Sequence, residues 1–155
     1  MTKRPDLTEI ARGLVEGCLC HSTRMAARAI TRSYDQALRP TGLRATQLSV
    51  LAAVAAEGAL SIKALAETLE MDRTTLTRNL QPLEELGFVA LGPEARHRSR
   101  TLSLTAAGRA ALLAALPLWE EAQRRIKRRL GGENWPAVQQ ALRVLTDRAQ
   151  TASSR

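Results

Sequence analysis

The chain has 155 residues, about the size of one domain, and this length permits a hydrophobic core without support from disulfides or metals. Its apolar residues are mostly Ala and Leu, whereas aromatic residues make up only 3%, which favours helices over sheets. The formal charge of +8 suggests a nucleic-acid partner, but the positive excess lies at the two ends and residues 44–105 are neutral overall.

The cellular compartment of the protein can be inferred from its targeting signals and its cysteine content. No apolar run reaches the length of a membrane span, and the N-terminal segment lacks the hydrophobic centre of a signal peptide. Cys18 and Cys20 are too few and too close for a disulfide scaffold, which indicates a reducing compartment. We therefore expect a cytoplasmic protein with no membrane partner.

The first third of the chain is predicted to form one long helix. Apolar residues recur at helical spacing from residue 7 to residue 38, and Arg39-Pro40-Thr41-Gly42 ends the pattern because Pro cannot continue a helix. A second helix is predicted from near Thr46 to Gly58.

Two short helices joined by a tight turn are predicted next. Ser61 is a good N-cap for the segment SIKALAETLE, and Asp72 is a good N-cap for RTTLTRNLQPLEEL. Each segment carries one apolar stripe, and only Glu70-Met71 separates them. This arrangement is typical of a helix-turn-helix motif.

A β-hairpin is predicted to follow. Gly87 occupies the position of a left-handed helix end, and residues 88–91 and 100–104 have strand character. The segment between the strands is polar, rich in turn residues and basic. The pattern therefore predicts a wing with a positively charged tip.

The C-terminal part is predicted to contain two helices. Thr105 can cap a long helix with a kink at Pro117, and Gly131-Gly132 ends it. A last helix with one apolar face follows.

The exposed face of the second short helix favours DNA recognition. At 100° per residue, its leucines lie on one side, and Thr74, Arg78 and Gln81 lie on the other. Arg can pair bidentately with guanine, and Thr can hydrogen-bond to a base or contact a thymine methyl group. A helix surface selected only for solubility would usually carry Glu and Lys pairs.

Arginines of the predicted wing offer a second contact with DNA. Arg96, Arg98 and Arg100, together with His97, concentrate positive charge where a hairpin tip can reach a minor groove or phosphates. A basic loop or a Thr/Arg helix face is by itself compatible with an ordinary solvated surface. Their order after a capped short helix favours DNA binding.

Three segments, ALRPTGLRATQLSVL, DRTTLTRNLQPLEELGFV and LSLTAAG, resemble the multiple antibiotic resistance regulator (MarR) family, and the resemblance extends over essentially the whole chain. It implies that the helix at 73–86 enters the major groove, that the hairpin is a wing, and that the first and last helices interlock two subunits. It also implies that the protein represses transcription, which is the usual mode of regulation in this family. The matching contact residues are Arg73, Thr74, Thr75, Thr77, Arg78, Asn79 and Arg98.

The sequence departs from the family pattern at two positions. Many members carry an Asp two residues before the wing arginine, where this chain has Arg96. Pro82 interrupts the recognition helix and removes a backbone bond to Arg78, so a slight bend is expected there.

The terminal helices independently predict a homodimer. Each has an apolar stripe, and a winged segment of about 60 residues is too small to cover both. Two subunits would also match palindromic DNA with half-sites about one helical turn apart. The alternative is that these helices pack only within their own subunit.

These observations together predict a mainly α fold, a winged helix-turn-helix with a two-stranded β-hairpin wing flanked by N- and C-terminal dimerisation helices. Residues 1–155 form a single domain, in which 44–105 bind DNA and 1–43 and 106–155 form the dimerisation region. We expect a repressor that binds a palindromic operator and is released by a small-molecule effector. Thr46 and Ser61, at the starts of the two helices that precede the recognition helix, complete the predicted DNA contacts.

One stripe of the first predicted helix is a candidate effector site. Cys18, His21, Met25 and Arg28 recur at spacings of three and four residues. The family resemblance implies that effectors, often small aromatic or phenolic acids, bind between the first helix and the winged segment. Arg28 and His21 could hold such an anion; alternatively, these residues face the dimer partner or pack in the core.

The two cysteines suggest a second form of regulation. On one continuous helix, Cys18 and Cys20 would point about 160° apart, which excludes a disulfide between them but leaves pairing across a dimer as a redox switch. Burial as small apolar side chains is the alternative. No metal site or other cofactor is expected, because the few Cys and His residues do not converge at a ligand spacing.

Two other classes of protein are alternatives, an enzyme and a protein-interaction module. An enzyme would need more than the Cys18 and His21 pair, and no oxyanion motif or third orienting group is evident, so we expect no enzyme activity. A winged-helix protein-interaction module would be expected to carry apolar residues where this chain has Thr74, Arg78 and Gln81.

Overall fold

The computed structural model describes residues 6–58, 60–92 and 101–153. Its helices are α1 (Leu7–Gly17), α2 (Leu19–Leu38), α3 (Ala45–Glu57), α4 (Ile62–Thr68), α5 (Arg73–Glu85), α6 (Ala106–Arg129) and α7 (Trp135–Ser153), with short 3-10 turns at Arg39–Thr41 and Gly132–Asn134. The strands are β1 (Leu60–Ser61), β2 (Val89–Leu91) and β3 (Thr101–Leu104). The predicted mainly α winged helix-turn-helix fold is confirmed.

The prediction of one long N-terminal helix was wrong. The helix is broken at Cys18, whose backbone is extended (φ −80°, ψ 111°). Gly17 ends α1, and glycine weakens a helix at this point because it loses more backbone freedom than other residues. The Cys18 Sγ then accepts a hydrogen bond from the backbone N of His21 at 3.5 Å and caps α2.

The sheet contains a strand that the sequence pattern did not predict. β3 lies in the middle, paired antiparallel with both β1 and β2. Leu102 is the shared partner, because it lies opposite Leu60 on one side and Leu91 on the other. The sheet therefore ties the start of α4 to the base of the wing.

The predicted caps are confirmed. The hydroxyl of Ser61 accepts from the backbone N of Ala64 at 3.0 Å, and Thr105 Oγ1 accepts from that of Gly108 at 3.0 Å. Gly87 adopts the left-handed conformation expected at the end of α5, with φ 68°. Sequence rules for helix ends therefore located the elements of the winged segment.

A leucine-rich core holds these elements together. Side chains from α2 to β3 that are almost fully buried include Leu38, Leu51, Leu65, Leu76, Leu83 and Leu102. Burying a leucine stabilises a fold by about 1.5–3 kcal/mol, so this cluster dominates the packing of the winged segment. Within residues 6–58, 60–92 and 101–153, no helix has the length and hydrophobicity that crossing a bilayer requires.

Two polar contacts join α2 to the rest of the fold. Asp35 Oδ1 accepts a hydrogen bond from the backbone N of Ala45 at 2.7 Å, at the first residue of α3. The hydroxyl of Tyr34 donates to Gln123 Oε1 in α6, and burial raises the pKa of this phenol. The end of α2 is thus tied to both α3 and the long helix α6.

Candidate nucleic-acid interface

Helix α5 is held by its apolar face and by a cap at its first turn. Leu76, Leu80 and Leu83 are buried in the core. Asp72 Oδ1 accepts from the backbone N of Thr75 at 2.8 Å, and its Oδ2 accepts from the Thr75 hydroxyl at 2.6 Å. The opposite face of the helix is left for solvent.

The Asp72 carboxylate is stabilised in its charged form. The hydrogen bond from the Thr75 hydroxyl, supported by one from the Thr75 backbone N, lowers the pKa of Asp72. A negative charge at this position also interacts favourably with the positive end of the helix dipole. The carboxylate therefore caps the start of α5 in its charged form at neutral pH.

The polar residues of α5 fall into two groups. In the first, the side chains donate within the helix: Thr75 to Asp72, Thr77 Oγ1 to the carbonyl O of Arg73 at 2.8 Å, and Asn79 Nδ2 to that of Thr75 at 2.8 Å. In the second group, the side chains of Arg73, Thr74 and Arg78 are exposed and take part in no hydrogen bond or ion pair within the described residues. Their donors are free for a partner.

Two of the other predicted DNA contacts lie within the described residues. Thr46 is exposed in the first turn of α3, and Ser61 is half-buried at the start of α4. Arg96, Arg98 and Arg100 lie outside the described residues, as do Glu94 and His97. The base of the wing is closed by a hydrogen bond of 2.7 Å from the backbone N of Gly92 to the carbonyl O of Thr101.

The predicted effector stripe does not exist as one helical face. Cys18 lies outside the helix, in the break between α1 and α2, whereas His21 and Arg28 lie within α2. Both Cys18 and Cys20 are exposed, so neither is the buried apolar side chain that the sequence allowed. The premise that both cysteines lie on one helix was also wrong.

A cavity of about 400 Å³ lies instead between α2, α3 and α6. None of Cys18, His21 and Arg28 lines it. Its walls combine aliphatic side chains with one indole and two hydroxyl groups, from Trp119, Tyr34 and Ser49, and none of its described lining residues carries a charge.

The sequence carries one signal for this cavity, in its few aromatic residues. The chain has a single tyrosine and two tryptophans, and such amphipathic rings are uncommon in its Ala- and Leu-rich helices. Tyr34 and Leu38 are four residues apart on one face of α2, and Leu112, Leu116 and Trp119 follow a matching stripe on α6.

Comparisons with known proteins agree with this geometry. A model of the MarR family matches residues 41–98, from the turn that follows α2 to beyond β2. A crystal structure of the M. tuberculosis transcriptional regulator MosR is 37% identical, with a TM-score of 0.78, over 88% of this chain and 98% of that chain. A structure of MosR in complex with DNA is 39% identical, with a TM-score of 0.79, over 87% and 98% of the two chains.

Two further relatives are more distant. The transcriptional repressor CouR, in a structure with bound p-coumaroyl-CoA, is 26% identical, with a TM-score of 0.75, over 86% of this chain and 95% of that chain. The HTH-type transcriptional regulator YwoH of Bacillus subtilis is 31% identical over 87 residues, which are 56% of this chain; the match spans 64% of YwoH.

These relatives are transcription regulators, which excludes the enzyme alternative. The match to the family model, the similarity to MosR over nearly its full length and the exposed polar face of α5 lead to one conclusion. The chain belongs to the MarR family of winged helix-turn-helix, DNA-binding transcription regulators.

Proposed function

We propose that the protein is a homodimeric repressor that binds a palindromic operator and releases it when a small molecule occupies the cavity between α2, α3 and α6. The observation that carries the DNA-binding part is the exposed face of α5. The side chains of Arg73, Thr74 and Arg78 are exposed with free donors, while buried leucines hold the opposite face of the helix. In this scheme residues 44–105 bind DNA, and 1–43 and 106–155 dimerise.

Within this scheme, α5 enters the major groove and the wing contacts the flanking DNA. Arg78 is placed to pair with guanine, and Arg73 and Thr74 extend the contact at the start of the helix. Thr75, Thr77 and Asn79 complete the groove surface. The phosphate contacts come from Thr46 and Ser61 and from the wing arginines Arg96, Arg98 and Arg100.

Exposed apolar side chains support the homodimer. Among the described residues, every large hydrophobic side chain that is exposed, except Leu86, lies on α1, α2 or α6, at the end of α6, or on α7. The most exposed are Leu7 (78%), Leu113 (69%) and Leu14 (67%). A monomer seldom leaves so much apolar surface in water, and a symmetric partner presenting the same helices would cover it.

The cavity supports release by a small molecule. Its volume of about 400 Å³ lies in the range of ligand pockets, and a relative, CouR, binds p-coumaroyl-CoA. The uncharged lining favours a neutral aromatic molecule over the anion that Arg28 was expected to bind. The Tyr34 and Ser49 hydroxyls already donate to Gln123 and to the carbonyl O of Ala45, so their oxygens would accept a hydrogen bond from the ligand.

The position of the cavity offers a route from ligand to DNA. Ala45 lines it, and the backbone N of Ala45 is the group that binds Asp35. A ligand that separates α2 from α3 would strain this junction and change the orientation of the winged segment within the dimer. Release requires that the ligand prefer the orientation that does not fit DNA.

Selection of bound duplexes from a random pool tests the operator proposal. We expect a palindrome with half-sites about one helical turn apart, bound by a dimer, with affinity that falls linearly in log–log form with salt. Run-off transcription from a promoter containing that palindrome should decrease when the protein is added. An asymmetric single site, or unchanged transcription, would contradict the dimeric repressor.

Tryptophan fluorescence tests the effector proposal. In a Trp135→Phe variant, Trp119 is the remaining tryptophan and reports on the cavity. Phenol, which can donate a hydrogen bond, should change its emission and lower operator affinity more than benzoate does. Tyr34→Phe should weaken this response; a larger response to benzoate would contradict a neutral ligand.

Oxidation of Cys18 and Cys20 is a second candidate for regulation, favoured by the break in the N-terminal helix. Cys18 is exposed and its backbone is extended, and Cys20 is exposed in the first turn of α2. The two thiols are therefore not fixed on opposite sides of one continuous helix. Hydrogen peroxide would convert the two thiols into a disulfide and two waters. Sγ of Cys18 would then no longer cap α2 as a thiol.

Peroxide treatment tests this candidate. It should weaken operator binding, and dithiothreitol should restore the affinity. The Cys18→Ser, Cys20→Ser double variant should not respond. An identical response in the double variant would exclude the thiol switch while leaving the repressor proposal intact.

A further inference from the structure

Thr75 is held in place more tightly than the other polar residues of α5. Its backbone N and its hydroxyl donate to the two oxygens of one carboxylate, Asp72, at 2.8 and 2.6 Å. The side chain is nevertheless exposed, at the N-terminal end of the helix that faces DNA in the proposed function. Asn79 secures the same residue, because its amide donates to the carbonyl O of Thr75.

These bonds limit what Thr75 can offer to a base. Its only hydroxyl proton is committed to an ionised carboxylate, and charge-assisted hydrogen bonds of this kind are about twice as strong as neutral ones. Recognition of an acceptor in the major groove requires a donor, and the hydroxyl proton of Thr75 is already bound by Asp72. These acceptors are guanine N7 and O6, adenine N7 and thymine O4. Thr74, one residue earlier, has no such bond within the described residues and can still donate.

We infer that Thr75 is a specificity-determining residue that recognises the C5-methyl group of a thymine through its own methyl group, with Asp72 as its positioning residue. When the hydroxyl points back to the N-cap, the γ-methyl is the part of the exposed side chain left for the groove. The thymine methyl is the feature of the major groove that requires neither a donor nor an acceptor. The inference rests on the proposed placement of α5 in the groove.

Replacement of thymine by deoxyuridine tests this inference, because the change removes only the methyl group. The probe is the duplex selected from the random pool, with each thymine replaced in turn at equivalent positions of both half-sites. Burial of one methyl-sized group corresponds to about fourfold in affinity, so two half-sites give roughly 15-fold. We expect a loss of this size at one thymine position per half-site for the parent protein.

Variants at position 75 separate the methyl group from the hydroxyl. Thr75→Ser keeps the bonds to Asp72 and removes the methyl, so it should bind the thymine and deoxyuridine duplexes equally at that position. Thr75→Val keeps a methyl and removes the hydroxyl, so it should still prefer thymine. Thr68→Ser, at the end of α4, is the matched control and should behave as the parent; circular dichroism checks that all variants are folded.

The possible failures are distinguishable. If Thr75→Ser discriminates against deoxyuridine as the parent does, or if no thymine position matters to the parent, Thr75 does not read a methyl group. In that case the operator proposal stands, and recognition of an adenine or cytosine amino group by the Thr75 oxygen becomes the better assignment. If no duplex is enriched by the selection, both proposals are overturned.

Discussion

At the scale of single residues, two glycines in helices should respond to the same substitution with opposite signs. In α6, a Cβ added to Gly108 would lie 1.9 Å from the carbonyl O of Phe88, so Gly108→Ala should push the helix away from β2 and destabilise the fold by about 1–3 kcal/mol. Gly13 in α1 has nothing within 4 Å, and Gly13→Ala should stabilise by about 0.5–1 kcal/mol. Urea unfolding measures both, and shifts of equal sign would contradict the packing at Gly108.

The hydroxyl of Thr105 should contribute to stability in two ways. It accepts from the backbone N of Gly108 as the cap of α6 and donates to the carbonyl O of Gly87 at 2.6 Å, in the turn after α5. Thr105→Val should therefore cost about 1–2 kcal/mol, whereas Thr105→Ser should cost little. Thermal unfolding compares the two; a larger loss for Thr105→Ser than for Thr105→Val would assign the effect to the methyl group, which only the Val variant keeps.

At the scale of elements, the start of α5 should weaken in acid. The folded state holds the pKa of Asp72 below its ordinary value of about 3.9, so the stabilising effect is present above that value and is lost as pH falls through the lower folded pKa. Asp72→Asn keeps an acceptor oxygen for the Thr75 backbone N but does not titrate.

Unfolding of the two proteins should be compared over a pH series. The pKa of Glu121 is also lowered, chiefly by a hydrogen bond from Arg124. The acid response of the parent protein therefore combines at least two groups, whereas the Asp72→Asn variant retains only the response of Glu121 and the other carboxylates. The difference in unfolding free energy between the parent and Asp72→Asn isolates Asp72. It should be constant near neutrality and shrink below pH 4; a difference that grows in acid would contradict the cap.

The elements that sequence reasoning located are those with local signals. Ser61, Asp72 and Thr105 are short polar residues immediately before apolar-periodic segments, and their side chains cap the helices as expected. The break at Cys18 has only a weak signal, Gly17, because the apolar pattern continues across it. Strand β1 has two residues and exists only through pairing with β3, about 40 residues later in the chain, so its sequence has no periodicity to detect.

At the scale of the whole molecule, dimerisation should depend on the terminal helices and not on the winged segment. Leu142 of α7 and Leu86, at the end of α5, are similarly exposed, at 52% and 54%. Leu142→Glu should shift sedimentation at micromolar concentration toward the monomer, because a charge would be buried in the interface. Leu86→Glu is the matched control and should remain dimeric; dissociation of both variants alike would place the interface elsewhere.

The cavity is the part of the candidate site that was not predicted from the sequence. Its walls come from α2, α3 and α6, and Tyr34 and Trp119 are 85 positions apart in the sequence, so no local pattern joins them. The stripe on the first predicted helix was the more conspicuous local pattern, and it directed attention to His21 and Arg28. Residues of α5 could be identified because their role follows from one helix alone.

The separation of α1 from α2 makes the first helix a reporter of assembly. All residues of Leu7–Gly17 are exposed, and a helix of this length is marginal in water without packing. If the partner subunit covers α1, its amide hydrogens should exchange slowly in the dimer and rapidly in the monomer. Exchange in this segment should then slow with increasing protein concentration by mass action, while exchange at the core leucines of α3 remains slow throughout.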